Sequence, residues 1–241
     1  MTQRSPELSL SRVARFAGVL YLAIIICGIF AEFFVRQSLI VAGDAGTTAQ
    51  NIMMSEGLFR IGIAADMIMI LCDVAIALLF YILLRSVNKS LSMLAAFFRL
   101  TQAAVLAANM SNLFDVLQLL GGADYLTVLG SDALHTQVML SLQAHASGYS
   151  IGLIFFGIHC AILAYLLYRS DFIPRILGIL IGIAALGYLI DSFAQILLLD
   201  YASYQNLFAL VVFLPAFIGE LSLCLWLLVR GVKITDERSS E

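Results

Sequence analysis

Six stretches of this chain are each apolar for long enough to cross the hydrocarbon core of a lipid bilayer: residues 13–35, 58–84, 91–118, 137–168, 175–199 and 205–229. Such a core is about 30 Å thick, and an α-helix rising about 1.5 Å per residue needs about 20 residues to span it. Within lipid every backbone N–H and C=O must be satisfied internally, so only helices or closed barrels cross it. The segments lack the period-two alternation of barrel strands. The class that follows is an all-α membrane protein, a six-transmembrane-helix bundle. Composition agrees: 62% of the 241 residues are hydrophobic and 12% charged, against about 25% charged in soluble domains. A soluble core of this length cannot hide so much apolar surface.

The basic residues set a direction. Arg4, Arg12 and Arg15, then Arg85 and Lys89, then Arg169 and Arg175, then Arg230, Lys233 and Arg238 all fall on one side of the spans. The opposite loops hold little beyond Arg36 and Arg60. Positive charge marks the cytoplasmic side, so both termini are expected there, in a multi-pass protein of the inner (plasma) membrane. The organisation expected is a cytoplasmic tail over 1–12, the membrane domain over 13–230 and a second cytoplasmic tail over 231–241. The first apolar run exceeds a signal-peptide core and no A-x-A site follows, so it reads as a span. Its Cys27, like Cys72, Cys160 and Cys224, lies inside a span with no C-x-x-C pair, and reads as a buried inert thiol. Net charge is −3 with no basic stripe, so nucleic acid is not an expected partner. The bilayer and a small-molecule ligand are. A homo-oligomer is compatible with the sequence but not specified by it.

The second, fourth and sixth spans end alike, in "YILLR" (81–85), "YLLYR" (165–169) and "WLLVR" (226–230). "RFAG" and "RILG" open the first and fifth, each with a later acid, Glu32 and Asp191. Three tandem helical hairpins would produce this pattern. So would an aromatic belt with snorkelling arginines at one interface, which needs no ancestry.

Counting inward from the basic edge at about 1.5 Å per residue places Arg99, His159 and Glu220 about 15 Å deep and Asp73 about 18 Å deep. Four ionisable residues on four spans thus share one level, near the midplane. Each would cost about 2.5–3.5 kcal/mol at a helix centre on insertion scales, so they are expected to face one another. Asp73 and Glu220 outnumber Arg99, which makes one acid a candidate proton carrier. Glu32, Asp66, Asn109, Asp191 and Gln195 count to an outer layer about 24–35 Å from that edge. Arg60, Asn112, Asp115 and His145 fall at or beyond it. Arg99, Gln102 and Asn109 share one helical face, at i, i+3 and i+10, which reads as a polar stripe. A vestibule opening outward, with Arg99 at its bottom, is the geometry this implies.

The candidate site residues are therefore Arg99, Asp73, Glu220 and His159, with Glu32, Arg60, Asp66, Asn109 and Asp191 in the outer layer. No metal or cofactor is expected. A metal would need Asp73, His159 and Glu220 to converge, and Arg99 at the same depth opposes a divalent ion. No H-E-x-x-H motif occurs. Bis-histidine haem ligation would have to pair His145 or His159 with His135, which falls in a loop. "SGYSIG" (147–152) is not a nucleophile elbow. The loop 36–57 reads as a connector or as a short interfacial helix over the outer mouth, and the long fourth segment allows a break near Gly148. Three functions remain open: binding or transport of a small molecule or proton, an intramembrane enzyme acting on a lipid-like substrate, and a structural or partner-binding subunit. The balance leans away from catalysis.

Several segments together resemble a bacterial membrane family known as domain of unknown function 4386. They are "GIFAEFFVR" (28–36), "LFRIGIAADMIMILCDVAIALLFYILLR" (58–85), "AAFFRL" (95–100), "GLIFFGIHC" (152–160), "GYLIDSFA" (187–194) and "LPAFIGELSLCLWLLV" (214–229). The resemblance covers nearly the whole chain between the tails, and contains Glu32, Arg60, Asp66, Asp73, Arg99, His159, Asp191 and Glu220. It implies a multi-span inner-membrane protein and brings no assigned activity.

Overall fold

The computed structural model describes residues 10–230, apart from the side chains at 125–127, 202, 205, 206 and 209, and contains no strand among them. Its helices include six that are long and apolar enough to cross a membrane: Leu10–Leu39, Glu56–Leu84, Lys89–Leu120, Gly130–Arg169, Arg175–Leu197 and Leu210–Val229. The last continues a helix that begins at Gln205. The tails 1–9 and 231–241, with Arg4, Lys233 and Arg238, lie outside the described residues.

Local chemistry explains most of the boundaries. The side chain of Asn88 accepts a hydrogen bond from the Leu91 amide at 3.0 Å, capping the third span. Pro174 precedes the fifth, where a missing N–H and a fixed φ suit a helix start. The third span ends on Gly121 and Gly122, and Gly122 adopts a φ of 69° that only glycine takes without strain. The loop 36–57 does contain a short helix, Ala45–Met54. Asp44 caps it, accepting from the Thr47 amide at 2.9 Å, and that bond holds its carboxyl below the ordinary aspartate range.

Three sequence readings change. The fourth span runs unbroken from Gly130 to Arg169, so Gly148 marks no break. A β-carbon on Gly148 would meet the Asn109 side chain at 2.1 Å; the glycine is there for close approach. The first span extends past residue 35, because Phe30–Arg36 forms a π-helical stretch that carries the helix on to Leu39. Arg36 therefore belongs to a span and is buried, whereas its place in the sequence read as an outer loop. His145, counted to the boundary, is likewise buried within the fourth helix.

The spans are polar inward and apolar outward. On the second, Ile61, Ile68, Leu71 and Leu78 are exposed while Asp66, Asp73, Ile76 and Phe80 are buried. Lipid accepts the first set and would penalise the acids. By their contacts the residues group into two compact units. One takes the chain up to residue 22, residues 73–100 and the chain from 154 onward; the other takes 23–72 and 101–153.

Candidate functional site

In the first unit every span supplies a residue to one polar centre. The third span provides Arg99, whose exposure is 0%. Its Nε and Nη2 both donate to Oδ1 of Asp73 on the second span, at 2.9 and 2.6 Å. Its Nη1 donates to Nε2 of His159 on the fourth span at 3.1 Å. That bond makes Nε2 the acceptor, so Nδ1 carries the proton and donates to the Ala95 carbonyl at 2.8 Å. The imidazole lies roughly parallel to the Phe80 and Phe156 rings, with centroids 6.4 and 6.0 Å away. The guanidinium carbon sits 5.1 Å from the Phe156 ring and 5.6 Å from the Tyr21 ring of the first span, within cation–π range.

Glu220 on the sixth span takes a different partner. Its Oε1 accepts from the hydroxyl of Tyr188, on the fifth span. Tyr21, its hydroxyl buried, lies within electrostatic reach of Glu220 and Arg99. Asp73 is thus the counterion of Arg99, and Glu220 is a second carboxyl held by a phenol. Depth alone could not separate these two acids.

The outer-layer candidates do not form one group. Within the second unit, Arg36 donates from Nε to Glu32 at 2.8 Å and from Nη1 to Asp66. Asn109 donates to the His145 carbonyl at 2.8 Å and accepts from Asn112 at 2.8 Å. Asp191 belongs to the first unit, where it accepts from Tyr201 at 2.6 Å and Gln195 at 2.9 Å. Burial and that carboxylate hold the Tyr201 phenol above its ordinary value. Arg60 is corrected. It makes an i,i+4 pair with Glu56, with both side chains more than half exposed, and surface pairs of this kind contribute little. Arg99, read from the sequence as the bottom of an outward vestibule, has no accessible surface of its own.

Reading the sequence for charge missed Tyr21, Tyr188 and Arg36. A tyrosine in an apolar run reads as interface belt, and its only signal was an acid at matching depth on another helix. Arg36 carried a better signal, Glu32 four residues before it.

The donor set does not suit a metal. Oδ1 of Asp73 and Nε2 of His159 face Arg99, Oε1 of Glu220 faces Tyr188, and no group of three or more His, Cys, Asp or Glu among the described residues is arranged to hold an ion.

A family model described as "Domain of unknown function (DUF4386)" matches residues 16–231. An uncharacterized protein of Archaeoglobus fulgidus is 32% identical over 169 residues, covering 70% of this chain and 83% of the relative. No solved structure matches.

Proposed function

The chain belongs to the DUF4386 family, and from its interior we propose that it binds or transports a small molecule or a proton through the polar centre built on Arg99. What supports this reading is the convergence of all six spans there, through Tyr21, Asp73, Arg99, His159, Tyr188 and Glu220. One hydrogen-bonded pair is enough to fix two helices. This centre adds an imidazole, a second carboxyl and two phenols, each costly to place in lipid. Among the described residues Arg99 uses three of its five N–H donors, leaving one on each terminal nitrogen for an anionic or polar group. In the proposed roles, Asp73 and His159 orient the guanidinium, and Glu220 with Tyr188 accepts and returns a proton. Arg99 and His159 have no exposed surface, so a ligand reaching them requires a span to move.

One observation favours a structural reading: the Arg99–Asp73 pair is hydrogen-bonded and almost wholly buried. A thermal-shift screen of small anions and amphiphiles separates the two, run on the native protein and on the Asp73→Leu/Arg99→Met/Glu220→Met variant. Buried ion networks are often replaceable by apolar packing, so the variant is expected to fold, with a modest deficit from the hydrogen bonds that His159 and Tyr188 lose. At least one compound should stabilise the native protein and lose its effect on the variant. Equal stabilisation of both proteins would move the site elsewhere, and no stabiliser at all would leave the structural role ahead.

The same reading takes the membrane to be the inner (plasma) membrane, with both termini cytoplasmic. The run of basic residues at Arg12, Arg15, Arg85, Lys89, Arg169, Arg175 and Arg230 supports this. Reporter fusions at residues 45 and 172 should place the first outside and the second in the cytoplasm; the reverse pattern overturns the orientation.

A further inference from the structure

A groove of about 300 Å³ opens on the surface of the first unit, lined by Leu91 of the third span, Ile158, Ala161, Ile162 and Tyr165 of the fourth, and Leu189 of the fifth. The fourth span is its floor, since Ile158, Ala161, Ile162 and Tyr165 stand at i, i+3, i+4 and i+7, one face of a helix. The neighbouring spans are its walls. His159, off this face, joins the fourth span to the third through the Ala95 carbonyl. On the other flank a β-carbon on Gly157 would stand 2.8 Å from Leu189, so the fifth span approaches closely there. Neither attachment covers the stripe, and Ala161 and Tyr165 remain exposed.

Polarity changes along the stripe in one direction. Arg169 follows Tyr165 by four residues and so continues the same face at the basic edge. The Tyr165 hydroxyl is the only polar side-chain atom in the lining, about 6 Å along the helix from Arg169. From there the floor is apolar down to Ile158, about 16 Å from Arg169. That is the depth of one leaflet of a hydrocarbon core about 30 Å thick. Cation, phenol and apolar floor follow the order of phosphate, glycerol linkage and acyl chain in a phospholipid.

Charge selects the head group. The two turns at this edge, 85–89 and 169–175, carry Arg85, Lys89, Arg169 and Arg175 against Asp171 alone. All four cations are exposed, and none forms an ion pair among the described residues. Arg175 lies over the Tyr168 ring at 5.8 Å, and Lys89 opens the span that supplies Leu91. Basic clusters beside membrane spans favour anionic lipids, and arginine matches phosphate geometry. A second copy of the chain would bring the same cations to the same edge, where like charges oppose each other.

We propose that the groove is a site for one anionic phospholipid. Its acyl chain lies against Ile158, Ala161 and Leu189, its glycerol linkage accepts from the Tyr165 hydroxyl, and its phosphate is held by Arg169, with Lys89 and Arg175 adding charge. The site is on the surface of the unit and does not rest on the role of Arg99.

The test uses the full chain in detergent, stripped of copurified lipid, with occupancy read by native mass spectrometry. The probes are dioleoylphosphatidylglycerol, dioleoylphosphatidylcholine and glycerol 3-phosphate. Phosphatidylglycerol should fill one site per chain about tenfold more tightly than phosphatidylcholine. Glycerol 3-phosphate, which has the head-group chemistry without a chain, should not fill it. Arg169→Gln should remove most of the preference, and Ala161→Phe, which puts a ring into the groove, should abolish the site for both lipids. Photocrosslinking of the native protein with phosphatidylglycerol carrying a diazirine in its chain needs no variant, and label is expected on residues 158–165. Equal affinity for the two lipids overturns the proposal, as does a preference unchanged in Arg169→Gln or a site unchanged in Ala161→Phe. Label spread evenly over the spans also overturns it, leaving ordinary surrounding lipid. A dimer that Ala161→Phe dissociates would assign the groove to a second copy and overturn it too.

Discussion

Replacing Arg99 with methionine is expected to lower the stability of the protein by about 3–5 kcal/mol, the usual cost of removing one partner from a buried ion pair. The size of the effect comes from what remains. Asp73 would keep a carboxylate in the interior with both of its Arg99 hydrogen bonds gone, and His159 would lose the donor to its Nε2. Lysine should recover only part of the loss, because an ammonium is a point charge and cannot present the fork that reaches Asp73 through two nitrogens and His159 through a third. Adding Asp73→Leu to Arg99→Met should restore most of it. The deficit left, about 1–3 kcal/mol, is that of an unpaired imidazole nitrogen. Unfolding equilibria of the two single variants and the double variant in one detergent complete the cycle. If the single and double variants prove equally unstable, the pair does not carry the coupling assigned to it.

The second large effect lies where two helices touch. At Gly178 an added β-carbon would stand 2.7 Å from the Tyr168 amide nitrogen and 2.8 Å from the Ala164 carbonyl oxygen. Both are backbone atoms of the fourth span, so no side chain can turn aside and the two spans must separate. Gly178→Ala should therefore cost about 1–3 kcal/mol, as overpacking of a close contact does. Gly182 lies one turn further along the same helix, and a β-carbon there would meet only the Ala164 methyl at 3.6 Å, an ordinary contact. Gly182→Ala should be neutral or stabilising by up to about 1 kcal/mol, because alanine favours the helix over glycine. Close helix contact through small residues is what holds spans together once lipid removes the hydrophobic drive. Thermal midpoints of the two variants, measured side by side, should move in opposite directions. Equal shifts would show that the crossing is not as close as described.

The two glycines also mark where sequence reasoning ends. Gly178 and Gly182 read alike as letters; only the position of the fourth span separates them. The same holds for Asp73 and Glu220, which stand at similar depth, yet one binds Arg99 and the other binds Tyr188. Arg36 read as a loop residue because the apolar run weakens around it, and the π-helical stretch carries it inward to Asp66.

What the sequence determined by itself was the helical class and the six apolar helices. These depend on the local cost of putting a backbone and its side chains into lipid, and that cost accumulates along the chain at a known rise per residue. What only the tertiary structure decided was partnership: which acid neutralises Arg99, whether that residue is exposed, and which outer residues pair. Partnership depends on the rotation of each helix about its axis and on which helices adjoin. Both are set by packing between residues far apart in the chain, where counting along one helix has no purchase.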